Sequence, residues 1–248
     1  YRQRADAWLD IAYGDSRRQL LDIFPAPAAL SPLHIFIHGG YWQTLSKDSF
    51  SFVAERFNRD GECAVIVNYD LCPEVTLAEI INQLRRAVAW IVRHIHEYGG
   101  DASRIQLSGH SAGGHLVAAL LTTDWSALAL AAKPLQHPPF LRVNALSGLF
   151  QLEPLIATSI NHALGLDASA AADCSPFGHH LWRPRTSCEL NLLVGELESD
   201  EYKRQSRELQ QAWQSELTVN YQLISAIHHF SIVDAFVDDY YRSLAGLP

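Results

Sequence analysis

Methionine is absent from this 248-residue chain, and cysteine is scarce. Not even an initiator Met is present, which predicts either that the start of the chain is trimmed or that modified Met residues are missing from the sequence as written. Cys63, Cys72, Cys174 and Cys188 form no C-x-x-C pair, so zinc knuckles and dithiol redox motifs are excluded and the thiols read as small core hydrophobes. No apolar run approaches the ~18 residues of a membrane span. The first 30 residues carry charges where a secretory leader needs an apolar stretch. A basic surplus is also lacking: 19 Lys plus Arg face 27 Asp plus Glu, for a formal net charge of -8, and no window is densely basic. Nucleic acid and membrane surfaces are therefore not expected partners. The expectation is a cytoplasmic protein acting on a small molecule, with a homodimer as an allowed assembly.

The composition is that of a globular chain, 48% hydrophobic and 19% charged, with 14 Gly and 11 Pro dispersed along it. A chain of this size hides roughly 70 to 75% of its unfolded surface. One domain over residues 1–248 is expected. Short apolar runs predict seven strands: Leu20 to Phe24, Leu33 to Ile37, Ala64 to Val67, Ile105 to Leu107, Val143 to Leu146, Leu190 to Val194 and Val219 to Ile224. Between several of them lie helical patterns, clearest in the stripe Leu77, Ile80, Ile81, Leu84, Val88, Ile91 and Ile95. Alternation of this kind predicts an α/β fold with a mostly parallel sheet buried on both faces. Leu20 to Phe24 precedes the alternation and is expected as an antiparallel edge strand, followed by a hairpin or edge loop in PAPAALSP at 25–32. The irregular segments 125–141 and 151–189 are expected to supply a lid or substrate wall.

Gly109, His110, Ser111, Ala112 and Gly113 spell G-x-S-x-G between a strand run and the helical pattern of Leu116 to Leu121. A nucleophile on such a strand-to-helix turn is held in a strained backbone conformation, and flanking glycines remove side chains that would collide there. Ser111 would stand exposed at a helix N-terminus, where free N–H groups favour a developing oxyanion. His38-Gly39-Gly40-Tyr41-Trp42 follows another strand run. The amides of Gly40 and Tyr41, with that of Ala112, are expected to form an oxyanion hole, and His38 to organise the loop. Hydrolases of this architecture run in chain order Ser, acid, His. That order places the base at His228 or His229 and the acid among Glu196, Glu198, Asp200 and Glu201, with the choice open at this point.

HGGYW, GHSAGGHL, VNYDLCPE, TDW, ESDEYKRQS and HHFSIVD together resemble the kynurenine formamidase (arylformamidase) branch of the α/β-hydrolases, related to the hormone-sensitive-lipase-like esterases. The likeness runs from about residue 12 to residue 240. The resemblance implies the α/β-hydrolase fold and hydrolysis of N-formyl-L-kynurenine to L-kynurenine and formate, with no metal and no organic cofactor. Carried over residue by residue, it implies Ser111 as nucleophile, His229 of the H-F pair as base, and Glu198 as acid, with Asp200 second. Gln151 departs from the acidic residue expected in an SGLFDL-like segment. Tyr41 and Trp42 are expected either to stack on the aryl ring or to pack as part of the wall.

Twelve histidines invite a metal reading, but His110 and His115 are five apart with no HExxH, and His94, His96, His179 and His180 lack acids at ligand spacing. Asp124-Trp125 and Asn68-Tyr69-Asp70 follow strand or helix ends, where they either shape the crevice or cap turns, and they stand outside the catalytic set. Two rivals remain: a carboxylesterase acting on small acyl or aryl esters, and a non-catalytic binding member of the fold.

Overall fold

The apolar runs become strands of one eight-stranded sheet in a computed structural model that describes residues 1–3, 6–126, 140–177 and 183–240. The strands are β1 Trp8–Ala12, β2 Leu20–Phe24, β3 Ser31–Ile37, β4 Cys63–Val67, β5 Gly100–His110, β6 Phe140–Leu146, β7 Glu189–Gly195 and β8 Thr218–Ile224. Their order is β1-β2-β4-β3-β5-β6-β7-β8. β1 and β2 run antiparallel to their neighbours, and every pairing from β4 to β8 is parallel. The helices are α1 Ser51–Arg59, α2 Leu77–His94, α3 Ala112–Leu121, α4 Asn161–Leu164, α5 Ala168–Cys174, α6 Asp200–Trp213 and α7 Ser231–Ala235. This is the α/β-hydrolase architecture.

Period-two alternation along the strands divides the core into two layers. Ile35, Val65 and Leu192 face one side of the sheet, where α2, α3 and α6 pack, while Phe36, Ile66 and Leu193 face the other, under α1 and α7. In α2 the residues Leu77, Ile80, Ile81, Leu84, Val88 and Ile91 are all buried, each worth ~1.5–3 kcal/mol against exposure. Thr76 caps the helix by accepting from the Glu79 amide at 3.2 Å.

Three sequence expectations change. Trp8–Ala12 is a strand that hydrophobic runs did not predict, because it alternates exposed and half-exposed residues around Asp10. It flanks β2, so Leu20–Phe24 is antiparallel as expected but internal. The PAPAALSP segment is no hairpin, because β4 lies between β2 and β3 and the chain must cross it. Of the expected lid segments, residues 127–139 and 178–182 lie outside the described residues. Among the described residues no helix is long and apolar enough to cross a membrane.

The parallel register sets out the site. Ile37 pairs with Gly109, His110 with Leu146, and Gly195 with Ile224. The C-terminal ends of β3, β5, β6, β7 and β8 therefore share one edge, where α/β sheets place their ligands.

Candidate active site

Each strand end on that edge delivers one polar element. After β5, Ser111 sits at φ 56° and ψ -116° immediately before α3, a backbone conformation that costs ~1–3 kcal/mol and persists only where its surroundings enforce it. The enforcement is visible. The Ser111 amide donates to Leu146 O at 2.8 Å, a Cβ on Gly109 would lie 2.2 Å from Gly113 O, and one on Gly113 would lie 2.1 Å from Ile37 O. Only glycine lets α3 start this close to β3 and β5.

After β3, the HGGYW loop lies directly against that turn: a Cβ on Gly39 would meet His110 O at 2.8 Å and Ser111 Cβ at 3.0 Å. Gly40 has φ 110°, and its carbonyl accepts from the amides of Gln43 and Thr44, both at 3.0 Å. His38 is fully buried, with its ring held by Gly39 O at 2.7 Å and the Asn68 side chain at 3.1 Å. It stacks on Tyr69 at 4.3 Å, and the Tyr69 hydroxyl donates to His38 O at 2.8 Å. Burial lowers the His38 pKa to about 4, so it is a neutral structural ring. Asn68 and Tyr69, expected to shape the crevice or to cap a turn, fasten this loop.

The decisive contacts join three segments. Ser111 Oγ donates to His229 Nε2 at 3.0 Å, and His229 Nδ1 donates to Glu198 Oε2 at 2.7 Å. Glu198 Oε1 accepts from Ser147 Oγ at 2.6 Å and from the Gly195 amide at 2.7 Å. Burial raises the Glu198 pKa, but the hydrogen bonds from His229, Ser147 and Gly195 outweigh burial and hold it below the ordinary carboxylate value. Glu198 is therefore ionised at neutral pH and orients the imidazole so that Nε2 can accept a proton.

The neighbours of these residues have other tasks. His228 is exposed, and its Nδ1 accepts from the amides of Phe230 and Ser231, each at 3.2 Å, at the start of α7. Glu196 accepts from Ser225 Oγ and the Ala226 amide, Asp200 is fully exposed beside Lys203, and Glu201 pairs with Arg204. His110 donates from Nε2 to His229 O at 2.7 Å. Burial lowers its pKa to about 4, and the same cause gives His115 the same value, with His115 Nε2 donating to Cys174 O at 2.7 Å. Gln151 accepts from Arg204 at 2.8 Å.

An apolar cavity of about 470 Å³ opens at Ser111 and His229, walled by Gly40, Tyr41, Phe50, Phe52, Phe230 and Val233 among others. Trp42 is not part of it, which corrects the stacking expectation. The chain turns at Tyr41 and Trp42, both at positive φ, and sends the indole inward, where it is wholly buried and meets His115 edge-on at 5.1 Å. The sequence reading also missed Ser147 and Tyr202. Ser147 carries the weak signal of a serine at a strand end, at φ 49°. The Tyr202 hydroxyl lies 3.0 Å from that of Tyr41, and its ring lies 4.8 Å from that of His229.

Comparison with known proteins identifies the family. The BD-FAE family model matches residues 21–145. Kynurenine formamidase of Danio rerio is 33% identical over 239 residues, covering 94% of this chain and 78% of that protein. Kynurenine formamidase of Salmo salar is 31% identical over 247 residues, covering 97% and 81%. A crystal structure of a candidate thioesterase from Silicibacter sp. TM1040 superposes with a TM-score of 0.82 at 30% identity, covering 98% of this chain and 85% of that one. These likenesses span nearly the whole chain, and with the sheet order they make it a hydrolase: the chain belongs to the kynurenine formamidase family of the α/β-hydrolases.

Proposed function

We propose that Ser111, His229 and Glu198 form a catalytic triad that hydrolyses N-formyl-L-kynurenine to L-kynurenine and formate. The observation that carries this reading is the unbroken chain from Ser111 Oγ through His229 to Glu198, at 3.0 and 2.7 Å, in a protein whose near-full-length relatives are named kynurenine formamidases.

Ser111 Oγ attacks the formyl carbon as its proton passes to His229 Nε2. The carbonyl oxygen becomes an oxyanion held by the amides of Gly40, Tyr41 and Ala112, where each donor typically supplies ~3 kcal/mol of transition-state stabilisation. Collapse breaks the C–N bond, and the proton on His229 moves to the departing aniline nitrogen. Water then attacks the formyl-enzyme, gives a proton to His229, and formate leaves as Ser111 Oγ is reprotonated. Glu198 stays ionised throughout and stabilises the imidazolium. The Phe50, Phe52 and Phe230 side of the cavity receives the aryl group. We place the protein in the cytoplasm, a reading supported by Cys63, Cys72, Cys174 and Cys188 all being free thiols.

The test is a side-by-side comparison of kcat/KM for N-formyl-L-kynurenine and p-nitrophenyl acetate, with fluorophosphonate labelling mapped by mass spectrometry. The proposal expects the formamide to be preferred and the label to sit on Ser111. Ester cleavage without formamide turnover would make the protein a small-ester hydrolase, and a label elsewhere would overturn the nucleophile.

A further inference from the structure

Tyr202 opens α6, far in sequence from the HGGYW loop, yet its hydroxyl meets that of Tyr41 at 3.0 Å across 161 residues of chain. Its ring lies 4.8 Å from His229 at an interplanar angle of 42°, and His229 is the residue that Ser111 Oγ meets at 3.0 Å. Two phenols therefore stand beside the Ser111–His229 pair, and the described wall of the apolar cavity includes Tyr41 but not Tyr202.

This arrangement divides the space around Ser111. When Oγ bonds to a carbonyl carbon, that carbon carries three other substituents. The oxygen turns to the amides of Gly40, Tyr41 and Ala112. The leaving group must approach His229 Nε2, which places its bulk along His229, Phe230 and Val233 in the cavity. The third substituent, the rest of the acyl group, is left facing the Tyr41–Tyr202 pair. In a formamide it is a hydrogen atom.

We propose that the Tyr41–Tyr202 phenol pair is the acyl-size filter of this hydrolase, admitting formyl and the smallest acyl groups and excluding longer chains, with Tyr202 as its specificity-determining residue. The proposal rests on the triad reading above. It goes further by assigning acyl selectivity to two side chains and by requiring that bulky leaving groups be accepted while bulky acyl groups are not.

The experiment measures kcat/KM for p-nitrophenyl acetate, butyrate and hexanoate, which share a leaving group, in the wild type and in Tyr202→Phe and Tyr202→Ala. Hexanoate carries four methylenes more than acetate, and each one refused by a closed pocket is worth about 10-fold or more in kcat/KM, so refusal of any two already makes wild type fall about 100-fold from acetate to hexanoate. Tyr202→Phe keeps the ring, and its ratio should stay within about 3-fold of wild type; Tyr202→Ala should shrink the ratio at least about 10-fold, by gain on hexanoate as well as loss on acetate. A residue with a merely structural role would lower all three esters by one common factor, and that result would overturn the proposal. So would a wild type that hydrolyses hexanoate as readily as acetate. Should Tyr202→Ala not fold, Tyr41→Ala removes the other half of the pair while keeping its backbone amide, and an unchanged ratio there counts against the filter in the same way. Loss of formylkynurenine turnover with a steep ester ranking would defeat the formamidase reading alone.

Discussion

Replacing Glu198 by Gln should disable the enzyme through the imidazole tautomer rather than through lost charge alone, and the surrounding hydrogen bonds say why. Glu198 Oε1 receives Ser147 Oγ at 2.6 Å and the Gly195 amide at 2.7 Å. The Ser147 hydroxyl can turn round to accept, but the Gly195 N–H can only donate, so the carboxamide oxygen of Gln must take the Oε1 position. Its NH2 group then faces His229 Nδ1, 2.7 Å away in the native protein. Nδ1 becomes the acceptor, the ring proton moves to Nε2, and Nε2 no longer accepts from Ser111. A wrong tautomer of this kind costs about a thousandfold to ten-thousandfold in kcat, or ~4–5.5 kcal/mol. Asp200, exposed and 3.6 Å from Lys203 Nζ, makes no such contact, so Asp200→Asn should stay within about 2-fold of wild type. The assay is kcat on N-formyl-L-kynurenine at neutral pH, with thermal melting to confirm folding. Retention of activity within about tenfold in Glu198→Gln, or an equal loss in Asp200→Asn, would refute the reasoning.

Ser147→Ala removes a hydrogen bond to a buried carboxylate, typically worth ~1.5–3 kcal/mol. We expect kcat to fall about tenfold with KM within about 2-fold, because the bond orients the triad rather than the substrate; steady-state kinetics on the folded variant would show this, and unchanged kcat would remove Ser147 from the site. Acid should destabilise the protein in a defined window. His38, His110 and His115 each protonate near 6.5 when unfolded and at about 4 when folded and buried, so between these values the unfolded chain holds more protons and stability falls as pH falls. The slope is ~1.4 kcal/mol per pH unit for each ring, up to ~4 for the three. Urea denaturation at pH 7 and pH 5 measures it, and a flat profile would mean that the rings are not buried neutral.

The nucleophile turn and the HGG loop were readable from sequence because both depend on backbone space that only glycine leaves. The contacts a Cβ would make at Gly39, Gly109 and Gly113 are the physical content of those motifs. His228 and His229 could not be separated by spacing, since adjacent loop residues point independently; the family's H-F pair singled out His229, and in the structure it is His229 that meets Ser111 while His228 turns to the α7 backbone. Trp42 misled for the same reason, as an aromatic next to a site residue that faces the opposite way. Ser147 and Tyr202 carry no motif of their own and become visible only when β6 and α6 bring them to Glu198 and His229. β1 escaped notice because an exposed outer strand needs no apolar run.

The measurement closest to the central claim is turnover of N-formyl-L-kynurenine by the purified protein, followed by kynurenine absorbance with formate assayed in parallel, beside Ser111→Ala. The account predicts one formate per kynurenine and loss of turnover in the variant by at least about a thousandfold. Undiminished turnover in folded Ser111→Ala, or no kynurenine from the wild type while p-nitrophenyl acetate is cleaved, would contradict it.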